Sequence, residues 1–176
     1  MAQYDLLRGD HGEDRLWDIH KGQIETLNEV LDCLNNIVME EADLQIKAGG
    51  ETVAKNGSAI RAMVEGSLVS ISANTDMPAL SGTVTAEKHN VFSIYIDANG
   101  VLTSSMGTEG DTLATVVLPT RPADKAQVGM VKVSPSGGSF IGGTTALDDA
   151  TANTEYIDTP GPQLSNKQSH TLTVES

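Results

Sequence analysis

The sequence predicts an α+β chain, in which an N-terminal coiled-coil-forming helix precedes a mainly antiparallel β-sandwich or small barrel with extended termini. Three observations lead there. Trp17, His20, Ile24, Leu27, Leu31, Leu34 and Val38 follow one another at alternating steps of 3 and 4 residues, the heptad spacing that places side chains on one stripe of a helix. From residue 44 onward the apolar period drops to two, the signature of half-buried strands. Only six of the 176 residues are aromatic, so a single copy lacks the bulky side chains of a thick core, and burial between copies would offset the deficit.

These changes of period divide the chain into an arm (1–11), an oligomerising helix (12–42), a β domain (43–157) and an extended tail (158–176). The arm has no period. It reads either as a frayed terminus or as a segment that orders against a partner through Tyr4, Leu6 and Leu7. Asp10 with Glu13 three residues on is an Asp version of the capping box, and Asp14 and Asp18 suit the positive end of a helix. The pattern runs to about Glu41, and Gly49-Gly50 ends any continuation.

In the heptad, Trp17, Ile24, Leu31 and Val38 take position a, while His20, Leu27 and Leu34 take d. Position g holds Leu16, Gln23, Val30 and Ile37, and its apolar members widen the stripe beyond a two-stranded seam. That favours three helices, so the expected interface of a homotrimer is Trp17, His20, Ile24, Leu27, Val30, Leu31, Leu34, Ile37 and Val38. The competing reading is an amphipathic helix packed on its own domain. His20 either fixes the register or offers imidazoles to an ion on a threefold axis.

The strands follow in order. Ala59–Val64 and Ser67–Ser72 flank Glu65-Gly66, and Val91–Ile96 is the strongest strand signal. Asp97-Ala98-Asn99-Gly100 then turns the chain into Val101–Thr103, since Asn-Gly between apolar runs marks a hairpin. Leu113–Leu118 is a strand stopped by Pro119 and Pro122, followed by Gln127–Val133, a Ser134–Gly138 turn, Ser139–Ile141 and a last short strand at Thr154–Ile157. In the tail, Thr171–Val174 alternates like an edge strand.

No catalytic constellation accompanies this framework. The four histidines stand far apart, no Cys-x-x-Cys or His-x-x-x-His pair exists, and no serine lies in a Gly-x-Ser-x-Gly elbow. Gly137-Gly138 and Gly142-Gly143 lack the lysine of a phosphate loop and read as turns. Asp148-Asp149 and Asp97–Gly100 lack the alternating ligands and closing Glu of a calcium loop. No metal or cofactor is expected, and the lone Cys33 is given no role. The formal charge of −13 repels phosphate backbones and anionic lipid, so neither nucleic acid nor membrane is an expected partner. No stretch has the length and apolarity of a membrane span or a secretory signal, which predicts synthesis in a cytoplasm.

The stretch Val84-Thr85-Ala86-Glu87-Lys88-His89-Asn90-Val91-Phe92-Ser93-Ile94-Tyr95-Ile96-Asp97, with its return Gly100-Val101-Leu102-Thr103, resembles small structural proteins of tailed-bacteriophage virions. The run from Val128 to Tyr156, with Gly142-Gly143-Thr144-Thr145-Ala146-Leu147-Asp148-Asp149, adds to the resemblance. It implies a head decoration, cement or head-fibre protein on the capsid exterior, trimeric and bound to the major capsid protein. Tyr4, Leu6 and Leu7 are then the candidate capsid contacts. The alternative is a head- or tail-fibre module that binds a host receptor or glycan. An enzyme is not expected.

Overall fold

The computed structural model describes residues 20–25, 27, 31 and 34–162. Its frame is a strand with no solvent face. Asn90–Asp97 (β7) is buried at every position but the last. Phe92, Ile94 and Ile96 point into the main core. Val91, Ser93 and Tyr95 are buried on the opposite side, beside the 107–124 segment. There the Gly107 N–H donates to the Val91 carbonyl at 2.9 Å, and the Tyr95 hydroxyl donates to the Pro119 carbonyl at 3.4 Å.

Every pairing around this strand is antiparallel. Leu102–Met106 (β8) and Lys125–Val133 (β9) flank β7, and Glu155–Asp158 (β11) lies outside β9. A second sheet joins Asn36–Val38 (β1), Ile60–Val64 (β4) and Ser67–Ile71 (β5) in the order β1-β4-β5. Val38, Ile60, Ala62, Val64 and Val69 share one core with Phe92, Ile94, Ile96, Val128, Val131 and Val133, so the two sheets form layers around it. Two short pairs close the ends of the core, Leu44–Ile46 (β2) with Ala54–Asn56 (β3), and Thr83–Val84 (β6) with Phe140–Ile141 (β10). Phe140 meets Phe92 ring to ring at 6.0 Å, tilted by 60°, a favourable aromatic geometry.

The predicted α+β class with a coiled-coil-forming helix is overturned. The described residues are mostly antiparallel sheet; residues 20–25, Leu27, Leu31, Leu34 and Asn35 are helical, and the helix has given way to β1 by Asn36. No N-terminal coiled-coil helix is present among them. Ile37 and Val38, placed at g and a of the heptad, are strand residues opposite Met63 and Ala62. Both are β-branched and suit a pleated surface. Burying Val38 in the core, where it is 1% exposed, outweighs continuing the helical period. The strand expected at Leu113–Leu118 is also absent: Leu113–Thr115 is a 3-10 turn, with the Thr115 hydroxyl accepting from the Thr112 N–H.

The edge strand expected at Thr171–Val174 lies outside the described residues; the remaining strand expectations match in position. Glu65 and Gly66 form a two-residue turn with φ of 49° and 77°, the left-handed pair of a tight hairpin. Asp97 Oδ1 accepts from the N–H groups of Asn99 and Val101, which closes the β7–β8 turn. β9 contains one irregularity: Ile94 pairs with Gly129, but Tyr95 pairs with Gln127, leaving Val128 as an extra residue. Because side chains alternate, one extra residue reverses the phase. Ala126 before the bulge, Val128 in it, and Val131 and Val133 after it thereby all face the core.

Three buried asparagines tie loops to this frame. Asn56 Nδ2 donates to the carbonyls of Ser58 and Ser72 at 2.7 and 2.9 Å, while Oδ1 accepts from the Thr75 N–H at 2.7 Å. Asn36 Nδ2 donates to Ala123 O, and its Oδ1 accepts from the Glu65 N–H. Asn90 Nδ2 donates to Gly107 O. A side-chain amide supplies both donor and acceptor, so each buried asparagine can be satisfied by loop backbone groups and holds that loop in place.

Two outcomes follow for stability. Asn56→Ala removes the three hydrogen bonds to Ser58, Ser72 and Thr75 from a buried position and is expected to cost about 3 kcal/mol by urea denaturation; a loss within error of zero contradicts the tie. A methyl group on Gly129 would run into the Leu44 side chain and the Ile157 carbonyl, whereas one on Gly138 meets nothing within 4 Å. Gly129→Ala is therefore expected to lose about 1–3 kcal/mol by overpacking, with Gly138→Ala close to wild type in the same titration.

Candidate functional site

Several large apolar side chains are left uncovered by the fold. On the helical stretch Ile24, Leu27, Leu31 and Leu34 are 57, 58, 46 and 53% exposed. Their spacing keeps them on one stripe. A second apolar strip begins where the helix ends. β1 puts Ile37 opposite Met63, and β4 puts Met63 opposite Leu68, so these three side chains form a row across the outer face of the three-stranded sheet. Ile37 and Met63 are half-buried and Leu68 is 65% exposed.

The row has polar surroundings. Arg61 donates from Nε to Glu40 Oε1 at 3.1 Å. Beside β1 lies an open depression of about 380 Å³, lined by Asn35, Asn36, Glu65, Gly66 and Ala123. The hydrogen bond from Arg61, reinforced by its charge, holds the Glu40 carboxyl below the usual carboxylate range, and Glu40 raises the Arg61 guanidinium in return. Lys88 does the same to Asp111 elsewhere on the surface.

Of the sequence-predicted interface, His20, Ile24, Leu27, Leu31 and Leu34 are helical and exposed. Val38 belongs to the core and presents nothing outward. Ile37 faces outward from a strand. Trp17 and Val30, and the candidate contacts Tyr4, Leu6 and Leu7, lie outside the described residues. Met63 and Leu68 were missed by sequence reasoning. Their signal was an apolar residue on what should be the solvent phase of an alternating run, as in Ala62-Met63-Val64 and Leu68-Val69.

The nearest approach to chemistry is His89, whose Nδ1 lies 2.7 Å from Ser134 Oγ. His89 also exchanges two backbone hydrogen bonds with Gly110. No carboxylate hydrogen-bonds to His89 among the described residues, so the pair lacks the orienting acid of a nucleophilic triad. It ties the start of β7 to the residue after β9. Among the described residues no three His, Cys, Asp or Glu side chains converge as a metal site, and no helix is long and apolar enough to cross a membrane.

The chain matches no protein-family model, no curated protein and no solved structure.

The ion pairs give a pH dependence. Glu40 and Asp111 have carboxyls depressed in the folded state. Their stabilisation is complete above the unfolded carboxyl pKa of about 4, and it disappears as pH falls through the lower folded value. The double variant Glu40→Gln, Asp111→Asn is expected to flatten the fall of the urea midpoint below that pH. The effect is small because both pairs are exposed to solvent; an unchanged acid slope removes the pairs from the account.

Proposed function

We propose that this chain is a structural protein of a bacteriophage virion, a head decoration or cement protein that bridges capsid subunits and stabilises the head. The observation that carries the proposal is the exposed apolar stripe Ile24, Leu27, Leu31 and Leu34 on an otherwise acidic β-rich body. A contiguous apolar surface of this kind marks a protein contact. The resemblance of residues 84–103 and 128–156 to virion structural proteins names the setting.

In this proposal copies meet as a homotrimer at the helical stripe, and each contributes a contact to the major capsid protein on the capsid exterior. Joining three weak contacts raises avidity by about 10²–10⁴ over one. A bridge across neighbouring subunits must break before they separate, which resists internal pressure. The fibre reading gains less support. Sugar binding calls for exposed aromatic faces, and Phe92, Tyr95 and Phe140 are buried.

Two measurements test the proposal. Light-scattering mass is expected to report a trimer that falls to a smaller species in Leu27→Lys, Leu31→Lys. Heads stripped of the protein are expected to rupture at lower temperature and at lower ionic strength than complete heads, and to recover on adding it back. Equal resistance of stripped and complete heads would sink the cement role.

A further inference from the structure

The outer edge of β5 is unlike the other edges of the two larger sheets. β1 is bridged on its free side by Gly161, whose N–H donates to the Val38 carbonyl at 2.7 Å. Beyond β11, the Asp158 carboxylate accepts from the N–H groups of Asp43 and Leu44 in the β2 arm. β8 has the 79–82 segment beside it, with the Ser104 hydroxyl donating to the Ala79 carbonyl at 3.0 Å. Among the described residues nothing pairs with the outer edge of β5.

The groups it presents follow from the turn. In a two-residue hairpin the residues flanking the loop, Val64 and Ser67, form the first hydrogen-bonded pair. Alternation then turns the N–H and C=O of Leu68 and Ser70 away from β4 and outward. Free edges are ordinarily guarded by charge, proline or a bulge. β5 has none of these, and no charged residue occurs between Glu65 and Asp76. In a chain of net charge −13, this is a neutral stretch at which two copies can approach without repulsion. Leu68 adds exposed apolar surface beside it.

We propose that β5 pairs with β5 of a second copy, antiparallel about a two-fold axis at Val69. In that register Leu68 faces Ser70 of the other copy and Ser70 faces its Leu68, so all the outward N–H and C=O groups are matched, about four hydrogen bonds in all. Val69 faces Val69 as a close, non-hydrogen-bonded pair. On the outer face the two Leu68 side chains lie diagonally across the joint, within reach of each other, and extend the Ile37–Met63–Leu68 row into the second copy. An isologous contact of this size is weak and reversible, so it is trapped by a covalent cross-link rather than read from an equilibrium mass. It is separate from the helical contact and does not depend on the virion reading.

The test is a symmetric disulfide. Val69→Cys is made with Cys33→Ser in the Leu27→Lys, Leu31→Lys background, so that the helical contact does not enter. Mild oxidation is expected to double the mass, reversibly on reduction, while Ser70→Cys in the same background does not cross-link. Adding Ser70→Pro removes an outward donor without touching the β4–β5 ladder and is expected to abolish the cross-link. Absence of a Val69→Cys dimer at concentrations where the full chain associates overturns the inference, and so does a dimer that persists with Ser70→Pro. Hydrogen exchange supplies the remaining arm: a monomer in which the Leu68 and Ser70 amides are already protected shows an edge covered from within the chain, which also overturns it.

Discussion

A strand buried on both sides must find two unlike partners for its alternate side chains, and β7 organises the molecule by that demand. Its Phe92, Ile94 and Ile96 face a core shared with the β1-β4-β5 sheet. Its Val91, Ser93 and Tyr95 require a cover, which an irregular segment beside them provides. Antiparallel sheets commonly leave one face to water. Here the central strand has no such face, and the neighbouring strand adapts to it. The extra residue at Val128 restores the phase of β9, so that Val131 still meets Phe92. The close approach of Leu44 and Ile157 then leaves room only for glycine at the next position.

The loops depend on the same frame through amides rather than apolar packing. Six aromatic residues in 176 give little bulk with which to pin long connections by hydrophobic contact alone. Asn36, Asn56 and Asn90 each anchor a connection by answering its backbone groups from a buried position. Such bonds add specificity, because a displaced loop would leave the amide unpaired in a place where water cannot replace the partner. Asn36 has a further position of consequence, at the first residue of β1, where the helical stretch ends.

What was legible in the sequence was local. Glu65-Gly66 and Asp97–Gly100 announce their turns because the chemistry that closes them lies within a few residues. The apolar helical stripe was legible for the same reason. The end of the helix was not, since Asn36-Ile37-Val38 fits a heptad as well as a strand, and the choice depends on Ala62 and Met63 far along the chain. Leu113–Leu118 had the composition of a strand but no neighbour to pair with beyond the Thr108–Val117 bridge. The outward row needed the register of three strands before Ile37, Met63 and Leu68 could be seen side by side. The asparagine ties could not be read at all, because their partners are loop backbone atoms up to 87 positions away.

The Val38–Gly161 bridge has a mechanical consequence. The helical stretch enters β1 just before Val38, and the chain on the C-terminal side leaves the described body at Gly161, on the neighbouring edge of the same strand. Tension applied between these two exits meets that bridge first; only when it opens does the load reach the short β1–β4 ladder on one side and, on the other, Thr159, whose N–H donates to the Val128 carbonyl of β9. The bridge thus acts as a clasp that must open before a pull on the two exits is passed to the sheets behind it.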